Sequence, residues 1–157
     1  MQRVMPAAAS VISTGLAAIM LFLTVSANAW SADRAGTIKT LAGSATVIRD
    51  SSVVPIAIGQ HVFPGDRIAS GRDSYIGIML NDDTRLTMGP GSELQIREFE
   101  FNPSSYAGGL VVSFMKGTAS VVTGLIGKHS PESMRFQTPT ATIGIRGTEF
   151  IVDLETE

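Results

Sequence analysis

From Tyr75 to Leu80 the chain alternates with period two. Ile76, Ile78 and Leu80 share one parity, and Tyr75, Gly77 and Met79 the other. The alternation returns in Leu86 and Met88, in Leu110, Val112 and Phe114, in Met134 and Phe136, and in Phe150, Val152 and Leu154. Successive side chains of a strand point to opposite faces, so this pattern describes strands with one buried face. Turn formers punctuate the runs at short intervals: Ala42-Gly43, Pro64-Gly65-Asp66, Ser70-Gly71, Asn81-Asp82-Asp83, Gly89-Pro90-Gly91, Gly108-Gly109, Lys116-Gly117 and Arg146-Gly147. Two longer loops are expected, Asn102 to Gly109 and Gly124 to Glu132. No stretch after Asp33 sustains helical periodicity. The predicted class is all-β, built of short strands. A sandwich, a barrel and an irregular β-solenoid all fit this spacing, and the lack of an exact repeat disfavours a regular solenoid.

The N-terminus has a different texture. No charge falls between Arg3 and Asp33, Val11 to Val25 is mostly apolar, and Ala27-Asn28-Ala29 follows. A basic start, an apolar stretch and small residues at an A-x-A end describe a secretory signal over residues 1–29 that forms a helix. The uncharged run is also long enough to span a bilayer, so an uncleaved anchor is the rival. Interspersed Ser and Thr and the cleavage motif favour the signal. Residues 30–35 then form a short linker to a single β domain over residues 36–157.

Twelve Lys and Arg, one of them Arg3 ahead of the apolar run, stand against fourteen acidic residues. This mildly acidic, interspersed charge argues against nucleic acid and against a polybasic membrane tail. The absence of cysteine rules out disulfides, thiolate metal sites and thiol nucleophiles. An exported domain of this kind depends on its core alone, and the chain is long enough to bury about two-thirds of its unfolded surface.

Catalytic patterns fail in turn. Hydrolysis by a triad needs a base and an orienting acid, and the only histidines, His61 and His129, have no motif partner. Around Gly127-Lys128, Val122 and His129 occupy positions where a phosphate loop needs Gly and Ser or Thr. Asn81-Asp82-Asp83 fits a hairpin turn better than a calcium loop, whose carboxylates alternate and end in a bidentate Glu. Proline in Asn102-Pro103-Ser104 excludes glycosylation there. Glu98 and Glu100 could suggest a glycosidase pair, but a solvated face opposite Phe99 and Phe101 is the simpler account. No enzyme activity, metal or cofactor is expected.

Arg146, Gly147, Thr148, Glu149 and Phe150 form the most informative cluster. Pro139 breaks one strand, Gly144 and Gly147 permit unusual backbone conformations, and Phe150, Val152 and Leu154 then commit to the core. The guanidinium of Arg146 can satisfy strand-end carbonyls or pair with an acid, with Glu149, Asp66 and Asp82 as candidates. One reading makes the cluster the fastening of a closing strand. The other makes Arg146 and Thr148, with the Asn102 to Gly109 loop, a partner-facing surface.

Several segments together resemble the FecR family of bacterial periplasmic signalling domains. They are Gly36-Thr37-Ile38, Leu41 to Val47, Ile58-Gly59, Pro64-Gly65-Asp66-Arg67-Ile68-Ala69-Ser70-Gly71, Leu80 to Pro90 with Ser92, and Thr138 to Phe150. The resemblance implies an all-β, partly solenoid-like domain. It also implies a role in envelope signalling, in which a siderophore-loaded, TonB-dependent transporter signals through the periplasmic domain to a sigma factor. Only Met1, Gln2 and Arg3 precede the uncharged stretch, so no cytoplasmic sigma-regulating segment is expected. Asp83 stands where the family's turn usually has glycine, and the chain stops soon after Phe150. Either the domain closes there or a sheet edge is left uncovered, which favours partner docking or self-association. The expected function is a non-enzymatic periplasmic or secreted binding and signalling module, anchored in the inner membrane if the signal is uncleaved. Its expected partners are envelope proteins, such as a TonB-dependent transporter or another signalling protein. The alternative is a structural or glycan-binding envelope scaffold, for which Trp30, Tyr75 and Tyr106 supply few aromatic platforms.

Overall fold

The computed structural model describes residues 33–145 and 149–154. The predicted signal segment, the first half of the 30–35 linker, and Arg146, Gly147 and Thr148 lie outside the described residues. The strands are β1 (Gly36–Ala42), β2 (Ala45–Arg49), β3 (Ser52–Pro55), β4 (His61–Val62), β5 (Arg67–Ser70), β6 (Tyr75–Leu80), β7 (Arg85–Met88), β8 (Glu93–Phe101) and β9 (Gly108–Val122). A short helix α1 (Leu125–His129) and a 3-10 turn (Pro131–Ser133) lead to β10 (Met134–Gln137), β11 (Thr142–Gly144) and β12 (Glu149–Leu154).

The fold is all-β, as the periodicity implies: one sheet curled into a half-barrel around a single core. Its spine is β9, which at 15 residues departs from the expected short strands. The first part of β9 pairs antiparallel with β8 and parallel with β10. Its last part pairs with β7 on one side and β12 on the other. From β8 the sheet runs on through β5 and β2 to β3, and from β7 through β6 and β1 to β4.

The bend in this spine has a local cause. Leu110, Val112 and Phe114 are buried at even positions of β9, whereas Ala119 and Val121 are buried at odd ones. The parity changes at Gly117, whose φ of +75° is left-handed. A Cβ there would lie 2.7 Å from Ser92 Cα, so only glycine admits this approach. Ser92 Oγ fastens the bend by accepting from Thr118 N at 2.9 Å and donating to Thr118 O at 2.9 Å. Ser70 Oγ continues the seam, accepting from Ser92 N at 2.8 Å and donating to Gly89 O at 2.7 Å.

Three expectations are corrected here. Lys116-Gly117 bends β9 and does not end it, because the left-handed Gly117 stays in the ladder opposite Leu154. Gly108-Gly109 begins β9, because the preceding loop closes at Ala107, two residues earlier than expected, with Phe101 opposite Gly108. The expected loop from Gly124 to Glu132 contains α1 and the 3-10 turn, and Ile126 buries its side chain in the core.

Asn81, Asp82 and Asp83 form the predicted β6–β7 hairpin turn, closed by Leu80 N donating to Thr84 O at 2.8 Å. Asp82 is buried, and its carboxylate accepts from Thr84 N at 3.1 Å, Thr84 Oγ1 at 2.7 Å and Ile126 N at 3.4 Å. The turn is thereby tied to α1. Asp83 sits at the left-handed φ of +66°, at the position where the resemblance to the family places a turn glycine. Asp83→Gly should therefore stabilise the domain by about 0.5–1 kcal/mol, the relieved strain being partly offset by the freer unfolded chain. A urea midpoint that falls in this variant would contradict the assignment of strain.

Candidate functional site

The described part of the predicted cluster, Glu149 and Phe150, opens β12. Its ladder with β9 runs from Glu149 opposite Val122 to Leu154 opposite Gly117. Alternation divides the strand cleanly. Phe150, Val152 and Leu154 face inward, where the half-buried Phe150 meets Phe136 edge-on at 4.9 Å and Val152 is buried. Glu149, Ile151 and Asp153 face outward, and Ile151 is 69 % exposed. Thr118 Oγ1 donates to Asp153 Oδ1 at 3.0 Å, while Glu149 has no side-chain partner among the described residues.

The outer side of β12 carries no strand among the described residues. Other margins of the sheet are blunted. β4 has two residues and β11 three, while β3 ends in Pro55, which lacks the N–H that a further strand needs. β12 has six residues and no proline. It is the margin best suited to accept another strand.

Two of the acids expected to pair with Arg146 are engaged elsewhere. Asp66 accepts from Arg49 Nε at 2.7 Å and Nη2 at 2.6 Å, and from Phe63 N at 2.8 Å. This hydrogen bond raises the Arg49 guanidinium above its already high ordinary value, and the group lies 4.4 Å from the Phe63 ring centroid. Asp82 is consumed by the hairpin turn. Arg49 lies far from Asp66 in sequence, and only the β2–β5 pairing brings them together.

Among the described residues the histidines have no carboxylate partner. His61 lies 3.1 Å from Arg34 Nη1 and 3.3 Å from Thr37 Oγ1. His129 Nδ1 lies 3.0 Å from Leu125 O, with its ring stacked on Tyr106 at 4.8 Å. Asn102 orders the loop ahead of Tyr106, its Oδ1 accepting from Ser104 N at 2.9 Å and Ser105 N at 3.2 Å.

One surface feature is absent from the sequence reading. A bulge in β8 between Ile96 and Glu98 turns Arg97 and Glu98 both outward. Arg97 Nε donates to Ser113 Oγ at 2.7 Å, and Ser113 Oγ donates to Gln137 Oε1 at 3.1 Å. Arg97 and Glu98, with Glu100 and Arg135, border a depression of about 460 Å³. The signal was present, since the apolar parity shifts from Leu94 and Ile96 to Phe99 and Phe101.

The fold is an all-β module whose β12 margin carries no further strand among the described residues. The family model for FecR protein matches residues 66–157, more than half of the chain, and the chain belongs to that family. It is a signalling and regulatory family. No curated protein and no solved structure matches the chain. β1 to β4 precede the matched region yet are hydrogen-bonded into the same sheet, β1 with β6 and β2 with β5. Among the described residues no helix is long and apolar enough to cross a membrane.

Proposed function

We propose that this chain is an exported, non-enzymatic envelope signalling module that works through protein contacts, with β12 as its docking edge. In this reading residues 1–29 direct export or anchor the chain, 30–35 link, and 36–157 form the periplasmic domain. The partner is a TonB-dependent transporter or another signalling protein of an iron-siderophore type of system. The observation that carries the reading is the outer side of β12, unpaired among the described residues, in a family of signalling proteins. Main-chain pairing along such an edge supplies affinity, and the alternate side chains supply specificity.

Ile151→Lys tests this directly, because lysine on an edge strand discourages strand addition. The exposed site predicts a stability change within about 0.5 kcal/mol. Immobilised wild-type chain should retain such a transporter or signalling protein from solubilised envelope, and the variant should lose it at unchanged melting temperature. Equal retention by both would remove β12 from the reading.

A further inference from the structure

The outer face of β12 also specifies what kind of strand fits it. Glu149, Ile151 and Asp153 present an acid, an apolar side chain and an acid at alternate positions. A second copy of this chain, paired antiparallel about Ile151, would place Glu149 of each copy opposite Asp153 of the other. Like charges directly opposite one another destabilise a sheet, and opposite charges stabilise it. A parallel second copy brings the same acids side by side. The neighbouring strand does not neutralise them, since β9 sets Val122, Ser120 and Thr118 against Glu149, Ile151 and Asp153.

We infer that β12 accepts an extended segment of a different protein, with basic residues two positions either side of an apolar one. Its central side chain covers Ile151, and the basic pair meets Glu149 and Asp153. The two intervening residues lie beside Phe150 and Val152 at the open margin of the core, so they are apolar as well. This inference rests on the docking role of β12 and adds the chemistry of its partner. It also excludes a homodimer through this edge.

The probe is a capped, fluorescent peptide of sequence Thr-Lys-Val-Ile-Val-Lys-Thr, compared with a counterpart carrying Glu at both Lys positions. Titrated against the purified chain at low ionic strength, the basic peptide should bind about tenfold more tightly. That ratio corresponds to about 1.4 kcal/mol spread over two attractive against two repulsive cross-strand pairs. The preference should shrink as salt is added. The double variant Glu149→Lys, Asp153→Lys should reverse it, and hydrogen exchange should show protection at β12 on binding. Equal affinities with β12 protected would overturn the charge inference while leaving strand addition intact. If neither peptide binds, and β12 exchanges freely, the docking role itself fails. A dimer of the wild-type chain that Ile151→Lys dissolves would overturn the choice of partner.

Discussion

Phe136→Ala should cost about 3–5 kcal/mol, a large part of the roughly 5–15 kcal/mol that holds a domain of this kind together. Phe136 is fully buried on β10. Its ring stacks on Phe114 of β9 at 6.0 Å and receives the edge contact of Phe150 from β12 at 4.9 Å. Truncation therefore leaves a cavity where three strands converge, on a chain without disulfides to limit the loss. The melting temperature should fall on the order of 10–20 °C. Phe150→Ala should cost less, about 2–4 kcal/mol, because its ring is only partly buried and gives up less transfer gain. Calorimetry on both variants decides the matter. A larger loss for Phe150 than for Phe136 would show that the closing strand, and not the β9–β10 pair, anchors this end of the core.

That ordering corrects the weight that the sequence places on Phe150. Periodicity identifies it as an inward residue, and it is inward. An edge strand, however, covers its residues from one side only, so Phe150 remains half-buried while Phe136 is enclosed. Whether a strand lies at the edge or the centre of a sheet depends on non-local pairing, to which alternation is blind.

The same distinction separates what could be read from what could not. Alternation locates β6, β7, the first part of β9 and β10, because each buries one face over several residues. The Asn81-Asp82-Asp83 turn is legible from its residue types, whereas the left-handed φ of Asp83 is signalled only by the glycine that the resembling family has there. The helix α1 is not, because five residues are too few to show a period. The parallel pairing of β10 with β9 is also hidden, since its ladder joins residues 24 apart, such as Leu110 and Met134. Of the candidate site, the sequence marks where β12 begins. It does not show which side of that strand stays open, or that Asp66 and Asp82 are already committed.

Gly117→Val should be nearly as damaging as Phe136→Ala, although it adds atoms to the surface-facing bend and removes none from the core. Two costs combine. A β-branched residue at φ +75° carries at least the roughly 1–2 kcal/mol penalty of a left-handed conformation. Its Cβ also meets the Ser92 backbone at 2.7 Å, so β8 and β9 must separate there. Separation breaks the two hydrogen bonds between Ser92 and Thr118 at about 1 kcal/mol each. The expected total is about 3–5 kcal/mol. Gly117→Asn divides the two causes, because asparagine tolerates the left-handed region yet still carries a Cβ. If the Asn variant is as unstable as Gly117→Ala, the contact with Ser92 dominates. If Asn is close to wild type, the backbone conformation dominates, and the Ser92 seam yields more readily than its hydrogen bonds imply. A Val variant that denatures at the wild-type midpoint would mean that β9 bends elsewhere. The parity change between Phe114 and Ala119 would then lose its physical cause.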